Sequence, residues 1–180
     1  GHTSEAHPWF QSSRAARSGP LAARYVWADP GPDGAPPNNW LSVFGGPAWR
    51  WEARRRQYVL HHFLPAQPAL NLADPDTLDA VAEIMRFWLA RGVDGFRVDA
   101  LDFVAHDPLL RSNPAAPLRA VPAKLFGMQA HLHDMMGTGT DAVLHRLRAE
   151  TDAFEDRALL GELSSQPGAF ARIAQATGPG

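Results

Sequence analysis

The sequence predicts an α/β fold, and three observations carry that reading. Leu78, Val81, Ile84, Met85, Trp88 and Leu89 recur at the spacing of one helix face. Two short apolar runs, Val93 to Asp99 and Ala158 to Glu162, each follow a helical stretch and end in a carboxylate. Composition also changes near residue 73: five of the six Trp lie before it, among Pro, Gly and Asn, and the helical pattern lies after it.

Taken in order, the first part carries the turn signals Asp29-Pro30, Pro32-Asp33-Gly34, Pro36-Pro37-Asn38-Asn39 and Gly45-Gly46-Pro47. Between them, Tyr25-Val26-Trp27 and Gln57-Tyr58-Val59-Leu60 read as short strands, so an irregular β-containing subdomain is expected. Asp74-Pro75-Asp76 is a helix start, with Pro in the first turn and acids beside the positive end of the dipole. Gly92 is expected to stop that helix, and Val93 to Asp99 to form a strand. A long segment from about Leu101 to Gly139 follows, with one short helix expected near Lys124–Asp134. A second amphipathic helix from about Thr140 places Val143, Leu147 and Phe154 on one face, and Ala158 to Glu162 is the next strand. Repeating α/β units joined by a loop of this length leave room for an active site.

Composition excludes several classes. With 180 residues, 45% hydrophobic and 20% charged, the chain has the balance of a folded domain. Its net charge of −2 gives no basic footprint, so neither nucleic acid nor an anionic membrane is expected as partner. The lack of cysteine removes disulfides and thiolate chemistry. The chain does not begin with Met, which suggests a truncated or excised piece.

The densest chemical signal is Gly92-Val93-Asp94-Gly95-Phe96-Arg97-Val98-Asp99-Ala100. Alternation on a strand puts Phe96 and Val98 on one face and Arg97 and Asp99 on the other. A cation and a carboxylate on an inner face must be paired or used. Arg97 is expected to orient Asp99 and keep it ionised, which a glycosidic nucleophile requires; a purely structural Arg–Asp pair fits the spacing equally. Glu162, ending the run Leu159-Leu160-Gly161, stands where α/β barrels build their active sites. If partly withdrawn from water its pKa rises and it can serve as general acid, although a Glu after an apolar run more often simply begins a helix. Phe44, Phe63, Gln67 and Asn71 can offer ring faces and amides to a sugar, with ordinary packing as the alternative. His61-His62 would face opposite sides of a strand and cannot share a metal. His131 and His133 lack an acidic or Cys partner at metal-site spacing, and Asp29 to Gly34 is too short and Pro-rich for a calcium loop. No metal and no cofactor is expected.

At Gly92–Phe103 the sequence resembles glycoside hydrolase family 13, the α-amylase family, on its α-glucosidase and oligo-1,6-glucosidase branch. The resemblance runs along essentially the whole chain: His2-Thr3-Ser4 with His7-Pro8-Trp9-Phe10, Tyr25-Val26-Trp27, Pro36-Pro37-Asn38-Asn39-Trp40, Phe44-Gly45-Gly46, Gln67-Pro68-Ala69-Leu70-Asn71, Gly95-Phe96-Arg97-Val98-Asp99 and Gly161-Glu162 occur in family order. Departures are Gly1 for Asn, Ala69 for Asp and Asp102 for Asn. The third carboxylate, in a later His-Asp motif, is absent.

The resemblance implies a partial TIM (β/α)8 barrel, about its fourth and fifth strands with the third and fourth helices, plus an inserted irregular β-containing subdomain. Residues 1–73 would be the end of the third-strand loop and the inserted subdomain, and 74–180 a barrel segment; a whole barrel needs ~250 residues. Asp99 would be the nucleophile and Glu162 the acid/base. Arg97 would orient Asp99, His2 would hydrogen-bond the first glucose, Phe44 and Phe63 would line its pocket, and Gln67 would reach sugar hydroxyls. The implied parent is a cytoplasmic retaining α-glucosidase acting on α-glucoside oligosaccharides, with this piece inactive alone. Two alternatives remain: a transglycosylating relative such as a trehalose-forming isomerase, and a non-catalytic relative of the transporter-subunit ectodomain type. A free-standing sugar-binding module would leave the strand-end carboxylates unexplained.

Overall fold

A computed structural model describes residues 1–117 and 122–163. Its elements are α1 (Pro8–Ala15), β1 (Trp27–Ala28), β2 (Trp49–Glu52), β3 (Gln57–Leu60), α2 (Pro75–Leu89), β4 (Gly95–Val98), α3 (Thr140–Asp152) and β5 (Ala158–Gly161), with short 3₁₀ turns at Leu101–Phe103 and Leu125–Met128. The chain divides into two compact units. Of the described residues, one comprises His2–Asn71 with those between Asp107 and Asp134; the other comprises Leu72–His106 with residues 135–163, together with Gly1. The break after Asn71 lies close to the composition change at residue 73. Residues 107–134, grouped by sequence with the second part, pack instead with the first.

The first unit is built on an antiparallel sheet of order β1-β3-β2. The central strand β3 is sealed on both faces: Val59 belongs with Phe10 and Tyr25 on one side, and Leu60 with Val26, Trp40, Trp49 and Ala69 on the other. Strand β2 reads Trp-Arg-Trp-Glu, buried at Trp49 and Glu52 and open at Trp51, and pairs Trp51 with Tyr58 and Trp49 with Leu60. The expected strand at Tyr25-Val26-Trp27 is displaced, because Tyr25 makes only an isolated bridge to Leu70 and the ladder begins at Trp27. Helix α1 has no counterpart in the sequence reading. It is short and has no acid in its first turn, but His7 caps it by accepting the Trp9 N–H on Nδ1 at 3.1 Å, with Pro8 opening the helix. Buried Arg55 ties α1 to the turn after β2, donating to the carbonyls of Ser13 (2.5 Å) and Ala16 (2.6 Å) beneath the ring of Trp27. Burial, helped by neighbouring Arg17, draws its pKa down to about 10.

The 107–134 segment docks through side chains that reach main-chain groups. The Asn39 side chain donates to the Asn113 carbonyl and accepts the Asn113 N–H, Asn38 donates to the Leu110 carbonyl, and the Trp40 indole to that of Arg111. The helix expected near Lys124–Asp134 is only the 3₁₀ turn Leu125–Met128.

In the second unit β4 and β5 pair in parallel, Gly95 opposite Ala158 and Val98 opposite Gly161, with α3 on the connection between them. Helix α2 begins as its sequence requires: Asp74 Oδ2 accepts the Thr77 N–H at 3.0 Å. It ends at Leu89, and the chain turns away through Gly92 (φ +91°), where the N–H groups of Gly92 and Val93 return to the carbonyls of Leu89 and Trp88. Helices α2 and α3 are joined by a cluster in which buried Glu150 takes Arg86 Nη2 (2.7 Å) and Arg146, and Arg146 also reaches Asp79 at 3.1 Å. Phe154, expected on the α3 face, lies past the helix end at Asp152.

Candidate active site

The chain leaves β4 through a tight corner. Asp99 follows the strand, and Ala100 then adopts a left-handed conformation (φ +48°, ψ +53°), which starts the turn Leu101–Phe103. This corner turns successive N–H groups toward the end of the neighbouring strand. The Ala100 N–H meets Glu162 Oε2 at 3.3 Å, and the Leu101 N–H meets the Glu162 carbonyl at 3.0 Å. Glu162 in turn donates its N–H to the Val98 carbonyl at 2.9 Å, extending the β4–β5 ladder by one step.

Arg97 ties this arrangement together. Its Nη1 donates to Asp99 Oδ1 at 2.7 Å and its Nη2 reaches Glu162 Oε1 at 2.9 Å, so one planar guanidinium serves both carboxylates. The bond to Asp99 and then the charge of Glu162 raise the Arg97 pKa above its ordinary value. The structure therefore joins Arg97, Asp99 and Glu162 in one cluster. It departs from the expected inner face in exposure: the three side chains are 54%, 56% and 48% exposed. Glu162 is the least exposed of the three and still half open to water, and Leu160, two residues earlier on β5, is 65% exposed. Sequence alternation placed Arg97 with Asp99 but missed the backbone donors of Ala100 and Leu101. No side-chain pattern reports a left-handed corner at alanine.

The other expected residues form a second cluster, within the unit that holds the antiparallel sheet. His2 pairs with Ala69 in an isolated bridge, and its ring lies 5.4 Å from that of Phe63. Phe44 is 6.1 Å from Phe63 and 62% exposed. Gln67 accepts the Leu64 N–H on Oε1 at 3.1 Å, which fixes its amide, and its Nε2 then faces His2 Nε2 at 3.0 Å. An amide N–H needs an acceptor, so the His2 ring carries its proton on Nδ1. Asn71, expected as a further sugar contact, donates its side-chain amide to the Ala23 carbonyl at 3.2 Å.

Four further histidines lie outside these clusters. His61 and His62 are buried, and burial lowers the His61 pKa. His131 faces Asp134 at 2.7 Å, and His133 faces Asp107 at 3.7 Å. No three His, Cys, Asp or Glu gather as a metal site among the described residues, and no helix there is long and apolar enough to cross a membrane.

Comparison with known proteins places these clusters in a family. Residues 1–176 match the model described as alpha amylase, catalytic domain. A probable alpha-glucosidase of Rhizobium meliloti (strain 1021) is 49% identical over 90% of this chain and 30% of its own length. The amino acid transporter heavy chain SLC3A1 of Rattus norvegicus is 37% identical over 94% of the chain and 24% of its own. Among solved structures, the alpha-glucosyl transfer enzyme XgtA superposes with TM-score 0.93 at 47% identity, covering 98% of this chain and 34% of that one. The chain thus spans about a third or less of the relatives it matches. With its strand-end carboxylates, its βα-units and this match along almost its full length, the chain belongs to the α-amylase family, glycoside hydrolase family 13, on its α-glucosidase and oligo-1,6-glucosidase branch.

Proposed function

We propose that this chain is the part of a retaining α-glucosidase that carries the nucleophile and the acid/base, on about the fourth and fifth strands of a (β/α)8 barrel with an inserted β-containing subdomain. The observation that supports this best is the Arg97 bridge: 2.7 Å to Asp99 and 2.9 Å to Glu162 through two nitrogens of one guanidinium. Double displacement needs carboxyls roughly 5–5.5 Å apart, a spacing that two acids on one guanidinium can adopt.

In this reading Asp99 attacks the anomeric carbon while Glu162 gives its proton to the departing glycosidic oxygen. A glucosyl ester on Asp99 forms as the C–O bond to the leaving sugar breaks. Water then gives a proton to Glu162 and displaces Asp99, releasing glucose with its original anomeric configuration. Arg97 keeps Asp99 ionised and aimed. His2, Phe63, Phe44 and Gln67 form the glucose-binding group, with His2 supplying a ring donor and the aromatic faces packing on C–H edges. In the full-length parent, Asp99→Asn should lower turnover of an aryl α-glucoside by about 10⁴-fold with an unchanged far-ultraviolet spectrum. Near-native turnover rejects the nucleophile.

A second reading keeps the same ester and changes the acceptor. The structural relative XgtA bears the name alpha-glucosyl transfer enzyme. Measuring glucose release against glucoside formation at high acceptor concentration separates the two.

A further inference from the structure

We propose that a groove at the hairpin end of the antiparallel sheet is a second, non-catalytic binding site for a neutral oligosaccharide. The groove, about 490 Å³, is lined by Arg17, Asp29, Pro30, Trp51 and Arg56, a volume in the range of small-molecule sites. It shares no residue with the His2–Phe63 cluster and lies toward the other end of β3: Trp51 pairs with Tyr58 near the strand's start, whereas Phe63 follows its last residue, Leu60.

Trp51 continues the indole row of the sheet into solvent. Trp49, two residues earlier on the same face, is buried, while Trp51 is 44% exposed. Tyr58 braces its ring in an edge arrangement at 5.1 Å and 62°, and the Tyr58 hydroxyl is anchored on the Gly34 carbonyl at 2.8 Å. Trp51 thus presents a rigid apolar plate, and its indole N–H has no hydrogen-bond partner among the described residues.

The polar side of the groove is equally fixed. Arg17 donates to the carbonyls of Arg55 (2.9 Å) and Arg56 (2.6 Å) and pairs with Asp29 Oδ1 at 2.9 Å, so all three of its nitrogens are committed. Gln57 holds the same Asp29 oxygen at 3.2 Å, which leaves Oδ2 as an acceptor. Arg56, in a left-handed conformation (φ +53°), has no side-chain partner among the described residues.

A sugar ring is the ligand that uses all of these together. The C–H face of one unit covers the indole while its vicinal hydroxyls give to Asp29 Oδ2 and accept from Arg56, and a hydroxyl of the adjoining unit accepts from the indole N–H at the ring edge. A phosphate would meet the Asp29 charge, and a hydrocarbon would leave three polar groups without partners.

The test follows the Trp51 indole proton by NMR in the protein carrying Asp99→Asn, with the resonance assigned through Trp51→Phe, during titration with maltoheptaose. The expected result is a saturable shift of that resonance, with an apparent Kd at least fivefold weaker in Arg56→Gly, which keeps the left-handed turn and removes the guanidinium. A resonance that stays still at millimolar maltoheptaose overturns the proposal, as does one that responds to inorganic phosphate and not to sugar. The readout is independent of turnover, so it stands or falls apart from the α-glucosidase reading.

Discussion

At the scale of single residues, the two informative side chains are cations with two partners each. Arg97 reaches both carboxylates because a guanidinium is a fork. Lysine delivers one point charge, so Arg97→Lys should leave one acid misplaced and lower kcat of the parent by ~10²-fold with little change in KM, measured on an aryl α-glucoside. His131 makes the complementary case. Its Nδ1 faces Asp134 Oδ2 at 2.7 Å and its Nε2 faces the Phe126 carbonyl at 2.8 Å, while the ring stacks on Phe126 at 3.6 Å. Both partners are acceptors, and only the imidazolium donates from both nitrogens. Burial opposes that charge, but the Asp134 bond and charge prevail and raise the pKa above 6.5. A raised folded-state value stabilises fully below about 6.5, the unfolded value, and is lost as pH rises through the folded one. Amide exchange in residues 125–134 should therefore accelerate as pH climbs past the His131 midpoint, beyond the intrinsic rate increase. In His131→Asn that excess should vanish; an unchanged profile rejects the assignment.

At the scale of elements, what the sequence shows depends on whether side-chain pattern or backbone geometry decides the structure. Helix α2 was legible at its ends because Asp74 and Gly92 act locally; of its expected apolar face, Ile84 and Trp88 are instead about half exposed, and Thr77, Ala82, Met85 and Leu89 are the buried residues. Strands β3, β4 and β5 were legible from their apolar runs. Helix α1 was not, since its cap is a histidine and its sequence is short and polar. The packing of the segment after Asp107 with the antiparallel sheet was not legible, because asparagine side chains and an indole anchor it, and such bonds leave no periodicity. Of the site, the acids and Arg97 were legible, while the corner at Ala100 was not. Two predictions belong here. A Cβ at Gly95 would overlap the Ala158 carbonyl oxygen across the parallel pair, so Gly95→Ala should destabilise by about 2 kcal/mol or more in chemical denaturation. Glu150→Gln removes the charge that Arg86 and Arg146 share between α2 and α3 and turns one acceptor oxygen into an NH2 facing an arginine donor, and should cost about 1–3 kcal/mol at neutral pH. Burial pushes the Glu150 pKa up, yet the two arginines hold it below the ordinary value. Its contribution is therefore complete above the unfolded pKa and fades as pH falls through the folded one, so the variant's deficit should shrink in acid.

At the scale of the whole molecule, the parallel sheet of the described chain has two strands, and Leu160 at its centre is open to solvent. A parallel sheet is stable when both faces are covered. The isolated 180-residue chain should accordingly turn over an aryl α-glucoside at under about a thousandth of the parent's rate; comparable rates would show that these two strands suffice. The sharing of one guanidinium by two acids has a further evolutionary consequence. Deleting either acid alters the electrostatic surroundings of the survivor, so their substitutions should be strongly epistatic, the double variant scarcely slower than the worse single one. A lineage drifting toward a purely scaffolding role would feel little selection to keep the second acid or the arginine once the first had gone. Erosion of the triplet in descendants should therefore look like joint disappearance rather than stepwise decay.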